Sequence, residues 1–241
     1  MKVIIIAGGL GTRISEETED KPKPMVLIND KPIIWHLMNI FSLQGFNEFI
    51  ISTGYKSEVI EKWVKGGEIF DSNFKPMKIV TLNTGLNTQT GGRISGVMKQ
   101  LSNERVIATY GDGLANISIN KLISFHESHG RLATLTAVRP PARFGHLKIE
   151  NKTVTHFGEK NQSDEGWING GFFVIEPGVL NYIKSPNEPF ESGALTNLAE
   201  ISQLMAFQHE GFWQPMDTLR EKRDLEKFAS LPIPPWLQGL D

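Results

Sequence analysis

The sequence contains no cysteine, which excludes disulfides and thiolate metal centres and leaves any ligand chemistry to oxygen and nitrogen. Neither sign of charge prevails: 25 Lys and Arg stand against 27 Asp and Glu, a formal net charge of −2. There is therefore no broad basic field to draw in nucleic acid or an anionic membrane, and neither is expected as a partner. An anionic substrate would have to be gripped by a local cluster of donors. Long apolar runs are missing too. Val3-Ile4-Ile5-Ile6 is an apolar run of four before Ala7-Gly8-Gly9, too short for a signal core or a membrane span. No later segment approaches spanning length, and a cytoplasmic location is the expectation. The six histidines show no metal-ligand spacing, which argues against zinc. Internal repeats, low-complexity tracts and linkers are absent as well.

What is present suits a folded chain with a sizeable core: 241 residues, 39% hydrophobic and 22% charged. Val3–Ile6 is a β-branched run cut off by Gly-Gly, the pattern of a parallel strand buried on both faces. Asp30 and Pro32 read as the cap and first turn of a helix carrying Ile33, Ile34, Leu37, Met38 and Phe41, stopped at Gly45. Strands are expected at residues 49–52, 78–82, 106–109 and 133–138, with helices at 57–64, 94–101 and 117–126 between them. That alternation predicts an open α/β sheet. From Pro140 onward the texture changes to short strands at 147–149, 154–157 and 172–175, then a last helix over 219–228. One domain over 1–241 is the simplest division, with a first half to residue 139 and a second half from 140. Trp35, Phe41, Trp63, Phe172 and Phe173 fall at core positions.

Three groups of residues carry chemistry. Gly8, Gly9 and Gly11 directly follow a buried strand, where glycine lets backbone N–H groups approach a phosphate. Thr12, Arg13 and the run Lys21-Pro22-Lys23-Pro24-Met25 add a hydroxyl, a guanidinium and two ammonium groups nearby, and the prolines stiffen the lysine segment. The loop is neither the dinucleotide fingerprint nor a P-loop. Asp112 lies at a strand end between Gly111 and Gly113, where open parallel sheets bind ligands, and Asp217 precedes the last helix. By spacing alone Asp112 reads equally as a turn aspartate and Asp217 as a helix cap. Thr90-Gly91-Gly92-Arg93 opens a helix.

The strings Ile6-Ala7-Gly8-Gly9-Leu10-Gly11-Thr12-Arg13, Lys21-Pro22-Lys23-Pro24-Met25 and Lys31-Pro32-Ile33-Ile34-Trp35-His36 resemble the sugar-1-phosphate nucleotidyltransferases, and most of all the glucose-1-phosphate cytidylyltransferases. The resemblance runs on through Thr90–Arg93, Thr109-Tyr110-Gly111-Asp112-Gly113, Arg143-Phe144-Gly145, Ile168-Asn169-Gly170-Gly171-Phe172-Phe173 and Gly211–Thr218. It implies a Rossmann-like fold, a mixed and mostly parallel sheet with helices on both faces and small β insertions. It implies transfer of a cytidylyl group from CTP to α-D-glucose 1-phosphate with Mg²⁺, in a homo-oligomer. Nucleotide contacts then fall to Ala7, Gly8, Gly9, Leu10, Gly11, Thr12, Arg13, Lys23, Thr90, Gly91, Gly92, Arg93, Gly111 and Asp112. Sugar phosphate contacts fall to Gly145, Glu159, Lys160, Asn169 and Gly170. The metal falls to Asp112 and Asp217, and the chemistry to Arg13, Lys23, Asp112, Lys160 and Asp217.

The chain departs from the family pattern in three places. The stretch 66–77 is shorter than usual, Asn161 stands where proline usually follows Glu-Lys, and Gly193-Ala194 replaces an acidic residue and proline. The first bears on assembly, the others on acceptor fit. Two other classes compete. A non-catalytic nucleotide-sugar sensor on this fold would tend to lose the metal aspartates or phosphate lysines, and all five residues proposed for the chemistry are kept. A dehydrogenase would need the G-x-G-x-x-G spacing, which is absent.

Overall fold

The computed structural model describes residues 1–140, 146–158 and 166–240, with backbone only at 146–149 and 156–158. In chain order its strands are β1 (Val3–Ile6), β2 (Leu27–Ile28), β3 (Lys31–Pro32), β4 (Glu48–Thr53), β5 (Ile69–Phe70), β6 (Pro76–Asn83), β7 (Val106–Tyr110), β8 (Gly113–Ala115), β9 (Ala133–Val138), β10 (His146–Glu150), β11 (Thr153–Gly158), β12 (Ile168–Ile175), β13 (Leu204–His209) and β14 (Trp213–Pro215). Eight of them form one sheet in the order β13-β9-β12-β7-β1-β4-β6-β5. The β7-β1-β4-β6 block is parallel, while β12 runs antiparallel to both of its neighbours. The mixed Rossmann-like sheet expected from the sequence is present.

β1 lies at the centre, and its four side chains are fully buried or nearly so. Val3 and Ile5 point into one apolar layer, Ile4 and Ile6 into the other. The period of two thus splits one run between two cores. The first layer is closed by the helices Ile33–Leu43, Ser57–Lys65, Ile119–His129 and Leu219–Ala229, the second by Thr90–Met98 and Thr196–Glu200. Register fixes the functional edge. Ile6 is level with Ser52 on β4 and Tyr110 on β7, so three parallel strands end together.

Several local expectations need correction. Asp30 caps nothing: Lys31–Pro32 pairs with Leu27–Ile28, and Pro32 itself precedes the helix with no side-chain cap. The helix expected at 94–101 begins at Thr90 and ends at Met98, because Gly91 and Gly92 are inside its first turn. The strand β13 was not anticipated. Its Leu204-Met205-Ala206-Phe207 lies parallel to β9 at the sheet margin and is only partly buried, so period-two alternation is weak there. Phe41, Phe172 and Phe173 are fully buried, whereas Trp35 and Trp63 are half-buried. Among the described residues no helix is long and apolar enough to cross a membrane.

A polar cluster is buried beneath the helix Ile119–His129, away from that edge. The Arg131 backbone N–H donates to His129 Nδ1 at 2.9 Å, which places the ring proton of His129 on Nε2. That N–H donates to Thr134 Oγ1 at 2.8 Å, and the Thr134 hydroxyl donates to His126 Nδ1 at 2.8 Å. His126 Nε2–H in turn reaches Glu176 Oε1 at 3.1 Å, beside Arg105 Nε at 2.6 Å. The Arg131 donor fixes His129 as neutral, and with this direction of donors His126 is neutral as well. Burial lowers the pKa of each. Glu176 opposes this at His126 and Arg105 adds to it, while His126 and Arg131 add to it at His129.

The sign follows from linkage. The unfolded chain takes up these protons near the ordinary value of about 6.5, and the folded chain only below it, so stability falls as pH drops through that window. For the fully buried His126 the slope approaches about 1.4 kcal/mol per pH unit. Urea denaturation between pH 7 and pH 5 should therefore show an acid limb that is shallower in His126→Gln. An unchanged limb in the variant would mean that His126 charges as readily folded as unfolded.

Candidate active site

The level strand ends present three segments at one edge. β1 runs into the glycine loop, β4 ends at Thr53-Gly54, and β7 leads through Gly111 to Asp112. Glycine at 111 leaves room for a close approach: a Cβ there would crowd the Ile6 carbonyl and Pro24 Cγ, each 3.0 Å away. That close approach lets the Lys23–Met25 turn lie across the end of β7. Pro22 is extended (φ −72°, ψ 152°), Met25 N–H donates to Pro22 O at 2.8 Å, and Lys23 is aimed inward as a result.

Asp217 reaches the same point by a different route. β14 pairs antiparallel with β8, setting Pro215 opposite Gly113, and Met216 N–H donates to Asp112 O at 2.9 Å. The following helix is capped by Thr218 in a capping box with Glu221. Asp217 is therefore not the cap, and its carboxylate faces the sheet end. Lys23 Nζ donates to Asp112 Oδ2 at 2.5 Å and to Asp217 Oδ1 at 2.6 Å. Arg13 donates to the other oxygen of Asp217 at 2.7 Å. The Lys23 side chain is 11% exposed and the Arg13 side chain 76%. Burial alone would depress the Lys23 ammonium, but Asp112 and then Asp217 outweigh it and hold its pKa above the ordinary value. Two carboxylates and two cations expected at the site thus meet in one cluster.

Arg93, expected as a nucleotide contact, lies behind the glycine loop and is 3% exposed. Its guanidinium donates to Thr53 O, Thr84 Oγ1 and Gly8 O, each at 2.8 Å, and to Leu86 O at 3.3 Å. Among the described residues no carboxylate pairs with it, and burial lowers its pKa. The loop carbonyl of Gly8 is turned inward onto this cation. The N–H groups of Gly9, Leu10 and Gly11 find no partner among the described residues and are available to an anion. Gly91 and Gly92 are buried against the carbonyls of Glu188 and Pro186, while Thr90 borders the cleft. Leu10 is exposed, and Ala7, Thr12 and Gly111 line the cleft wall.

Asn169 and Gly170, expected as sugar-phosphate contacts, line the same cleft. Gly145, Glu159 and Lys160 lie outside the described residues. Among the further residues that border the cleft and were given no role from the sequence are Tyr110, Glu191 and Trp213. The Trp213 indole N–H donates to Gly170 O at 2.8 Å, tying β14 to β12. Tyr110 was legible only as the residue before Gly111-Asp112. Glu191 offered no local signal, since it sits in a π-helical turn, Glu191–Leu195, that packs against the start of the helix Thr90–Met98.

Together these walls enclose a cleft of about 1200 Å³, large enough for a nucleotide and a second small ligand. Among the described residues no three His, Cys, Asp or Glu converge. The donor set is a carboxylate pair beside a phosphate-sized row of N–H groups, and that suits Mg²⁺, which takes one or two carboxylates and fills its remaining positions from water and phosphate.

The sequence model of the nucleotidyl transferase family matches residues 2–218. The chain is 44% identical to a glucose-1-phosphate cytidylyltransferase of Salmonella typhi, over 98% of each protein. It is 40% identical to a probable glucose-1-phosphate cytidylyltransferase of Bacillus subtilis, over 99% of this chain and 97% of that one. Among solved structures it is similar to HddC from Yersinia pseudotuberculosis complexed with GMP-PN, with a TM-score of 0.69 and 26% identity over 94% of this chain and 98% of the other.

The arrangement behind the loop gives a direct test. Arg93→Lys keeps the charge but cannot reach four acceptors with one ammonium. Gly8 O and Thr53 O keep backbone donors from Tyr55 and Thr84, so the cost is that of the lost hydrogen bonds to a charged group, about 1.5–3 kcal/mol each, and denaturant unfolding should show a loss of about 2–4 kcal/mol. A loss below about 0.5 kcal/mol, the level of an ordinary surface change, would mean the strand ends do not depend on the guanidinium.

Proposed function

Because the chain belongs to the nucleotidyl transferase family, we propose that it transfers the cytidylyl group of CTP to α-D-glucose 1-phosphate, releasing CDP-glucose and pyrophosphate. The observation that carries this reading is the cluster of Lys23, Arg13, Asp112 and Asp217 beside the N–H row of the glycine loop. The choice of CTP and glucose 1-phosphate is supported by the 44% and 40% identical relatives. Cytoplasmic location and homo-oligomeric assembly belong to the same proposal, carried over from the resemblance.

The residues divide the work as follows. The loop N–H groups of residues 9–11 receive phosphate oxygens of the triphosphate, and Lys23 and Arg13 supply positive charge on its other side. Thr90 borders the region assigned to the base, and Asn169 and Gly170 that assigned to the sugar. Lys160 and Glu159 complete the sugar-phosphate side by the motif they occupy. An oxygen of the sugar phosphate attacks the α-phosphorus in line, and the bond to the β-phosphate oxygen breaks as pyrophosphate leaves with the electron pair. The attacking phosphate is already ionised near neutral pH, its second pKa being about 6, so no general base is needed. Positioning and charge neutralisation then supply the acceleration. Asp112 and Asp217 would hold Mg²⁺, whose contribution is to neutralise charge on the triphosphate oxygens.

Pyrophosphate release across the four NTPs and a panel of sugar 1-phosphates tests the proposal. CTP with glucose 1-phosphate should give the largest kcat/KM, and chelation of divalent cations should abolish release. Asp112→Asn should lower turnover by about a hundredfold or more, the scale for losing one preorganised electrostatic group. Preference for UTP or dTTP would defeat the cytidylyl assignment, and no release with any pair would leave a binding protein.

A further inference from the structure

A hydrogen-bonded chain crosses the cleft on its sugar side, and its directions are forced step by step. Gly171 N–H donates to Asn169 Oδ1 at 2.9 Å. The amide nitrogen of Asn169 therefore faces the other way and donates to the Tyr110 hydroxyl oxygen at 3.2 Å. With that oxygen accepting, the Tyr110 O–H donates to Glu191 Oε1. The second oxygen of Glu191 accepts from the Thr90 hydroxyl at 2.7 Å, and Thr90 Oγ1 accepts from Phe190 N–H at 2.8 Å. One amide hydrogen of Asn169 remains without a partner among the described residues, on a side chain that lines the cleft.

Packing holds the same chain in place. The Tyr110 ring lies against Gly171, where a Cβ would come within 2.4 Å of Cδ2. It meets Phe173 edge-on at 5.7 Å, and Phe173 meets Phe190 edge-on at 5.6 Å. Phe190 directly precedes Glu191, so the aromatic ladder and the polar chain fix the same two ends. Burial and then Glu191 push the Tyr110 phenol far above its ordinary pKa, which keeps it a donor at any physiological pH.

We propose that Tyr110 and Glu191 are positioning residues for the acceptor sugar: they orient the Asn169 amide so that its remaining N–H meets a hydroxyl of the sugar phosphate. The inference rests on Asn169 being a sugar ligand, as set out above. Tyr110 and Glu191 act through Asn169, and the contribution of Tyr110, which touches nothing on the Thr90 side except through Glu191, is selective for the acceptor.

Steady-state kinetics with each substrate varied separately reads this out. Tyr110→Phe, which removes one oxygen and keeps the ring, should raise KM for glucose 1-phosphate about tenfold, the equivalent of one hydrogen bond of about 1.4 kcal/mol. KM for CTP should stay within about twofold, inside what a lost hydrogen bond would produce. Glu191→Ala should raise the sugar-phosphate KM likewise, and Glu191→Gln should restore it, because its carbonyl still accepts from Tyr110. Adding Tyr110→Phe to Asn169→Ala should have no further effect. In a series of monodeoxy glucose 1-phosphates, the analogue that loses most with the wild type should lose nothing more with Tyr110→Phe. An equal rise in both KM values, additive effects or an unchanged sugar-phosphate KM in Tyr110→Phe would overturn the inference. If Asn169→Ala itself leaves that KM unchanged, Asn169 is not a sugar ligand and both readings fall. A rise in Asn169→Ala alone would sink only the positioning role.

Discussion

A buried cation with no carboxylate partner among the described residues organises this site. Arg93 is held by two backbone carbonyls and a hydroxyl at 2.8 Å and a third carbonyl at 3.3 Å. An unpaired buried charge is tolerated only when its donors are satisfied. To satisfy them, the chain turns carbonyls inward from Gly8, Thr53 and Leu86, at the ends of β1 and β4 and just beyond β6. The space this occupies explains the side-chain-free positions around it: a Cβ on Gly8 would lie 2.0 Å from the guanidinium, and one on Gly54 2.6 Å. Carbonyls pointing in leave N–H groups pointing out. In the proposed function the loop would cradle an anion because a positive charge sits beneath it, and Arg93 would serve a phosphate without touching one.

The second electrostatic feature is balance. Lys23 and Arg13 pair with Asp112 and Asp217, so the four charges of this cluster balance. In the proposed reaction a triphosphate and a divalent cation would bring opposite charges that match its two halves, the anion to Lys23 and Arg13, the cation to the carboxylates. Either partner arriving alone would leave one half uncompensated in a partly buried setting, where charge is costly. The geometry therefore favours the two arriving together. It is also consistent with a net charge of only −2, since attraction is needed only at short range.

Much of this was legible in the sequence, and the rest was not for identifiable reasons. β1, β4, β7 and β9 were readable because a β-branched run ending at glycine or polar residues leaves few alternatives. Arg13, Lys23, Asp112 and Asp217 were readable as motif positions, but nothing local joined Asp112 to Asp217. Their meeting depends on the short pairing of β8 with β14, three residues in each strand. Arg93 was carried over with Thr90–Gly92 as a nucleotide contact, but its side chain is buried behind the loop, and burial cannot be seen in a string. Asp30 failed as a cap because the two-residue hairpin β2-β3 overrode the local preference. Thr218 took the capping role that spacing gave equally to Asp217, since its hydroxyl and Glu221 form a reciprocal pair.

Glu191 shows how the two substrate regions are joined. It belongs to neither the glycine loop nor the aspartate pair, yet one oxygen takes the Tyr110 hydroxyl and the other the Thr90 hydroxyl. Thr90 opens the helix whose fourth residue is Arg93, and Tyr110 ends the strand that leads to Asp112. The support of the phosphate loop, the carboxylate site and the sugar wall therefore meet at a single side chain. A rigid link of this kind would suit the proposed in-line displacement, in which the attacking oxygen and the α-phosphorus would be bound by different walls and held within a fraction of an ångström of alignment. Hydrogen bonds whose donors and acceptors are all assigned leave little freedom for the walls to drift independently. The sheet sets the distance between the two sites, and the chain from Thr90 to Asn169 sets their mutual orientation.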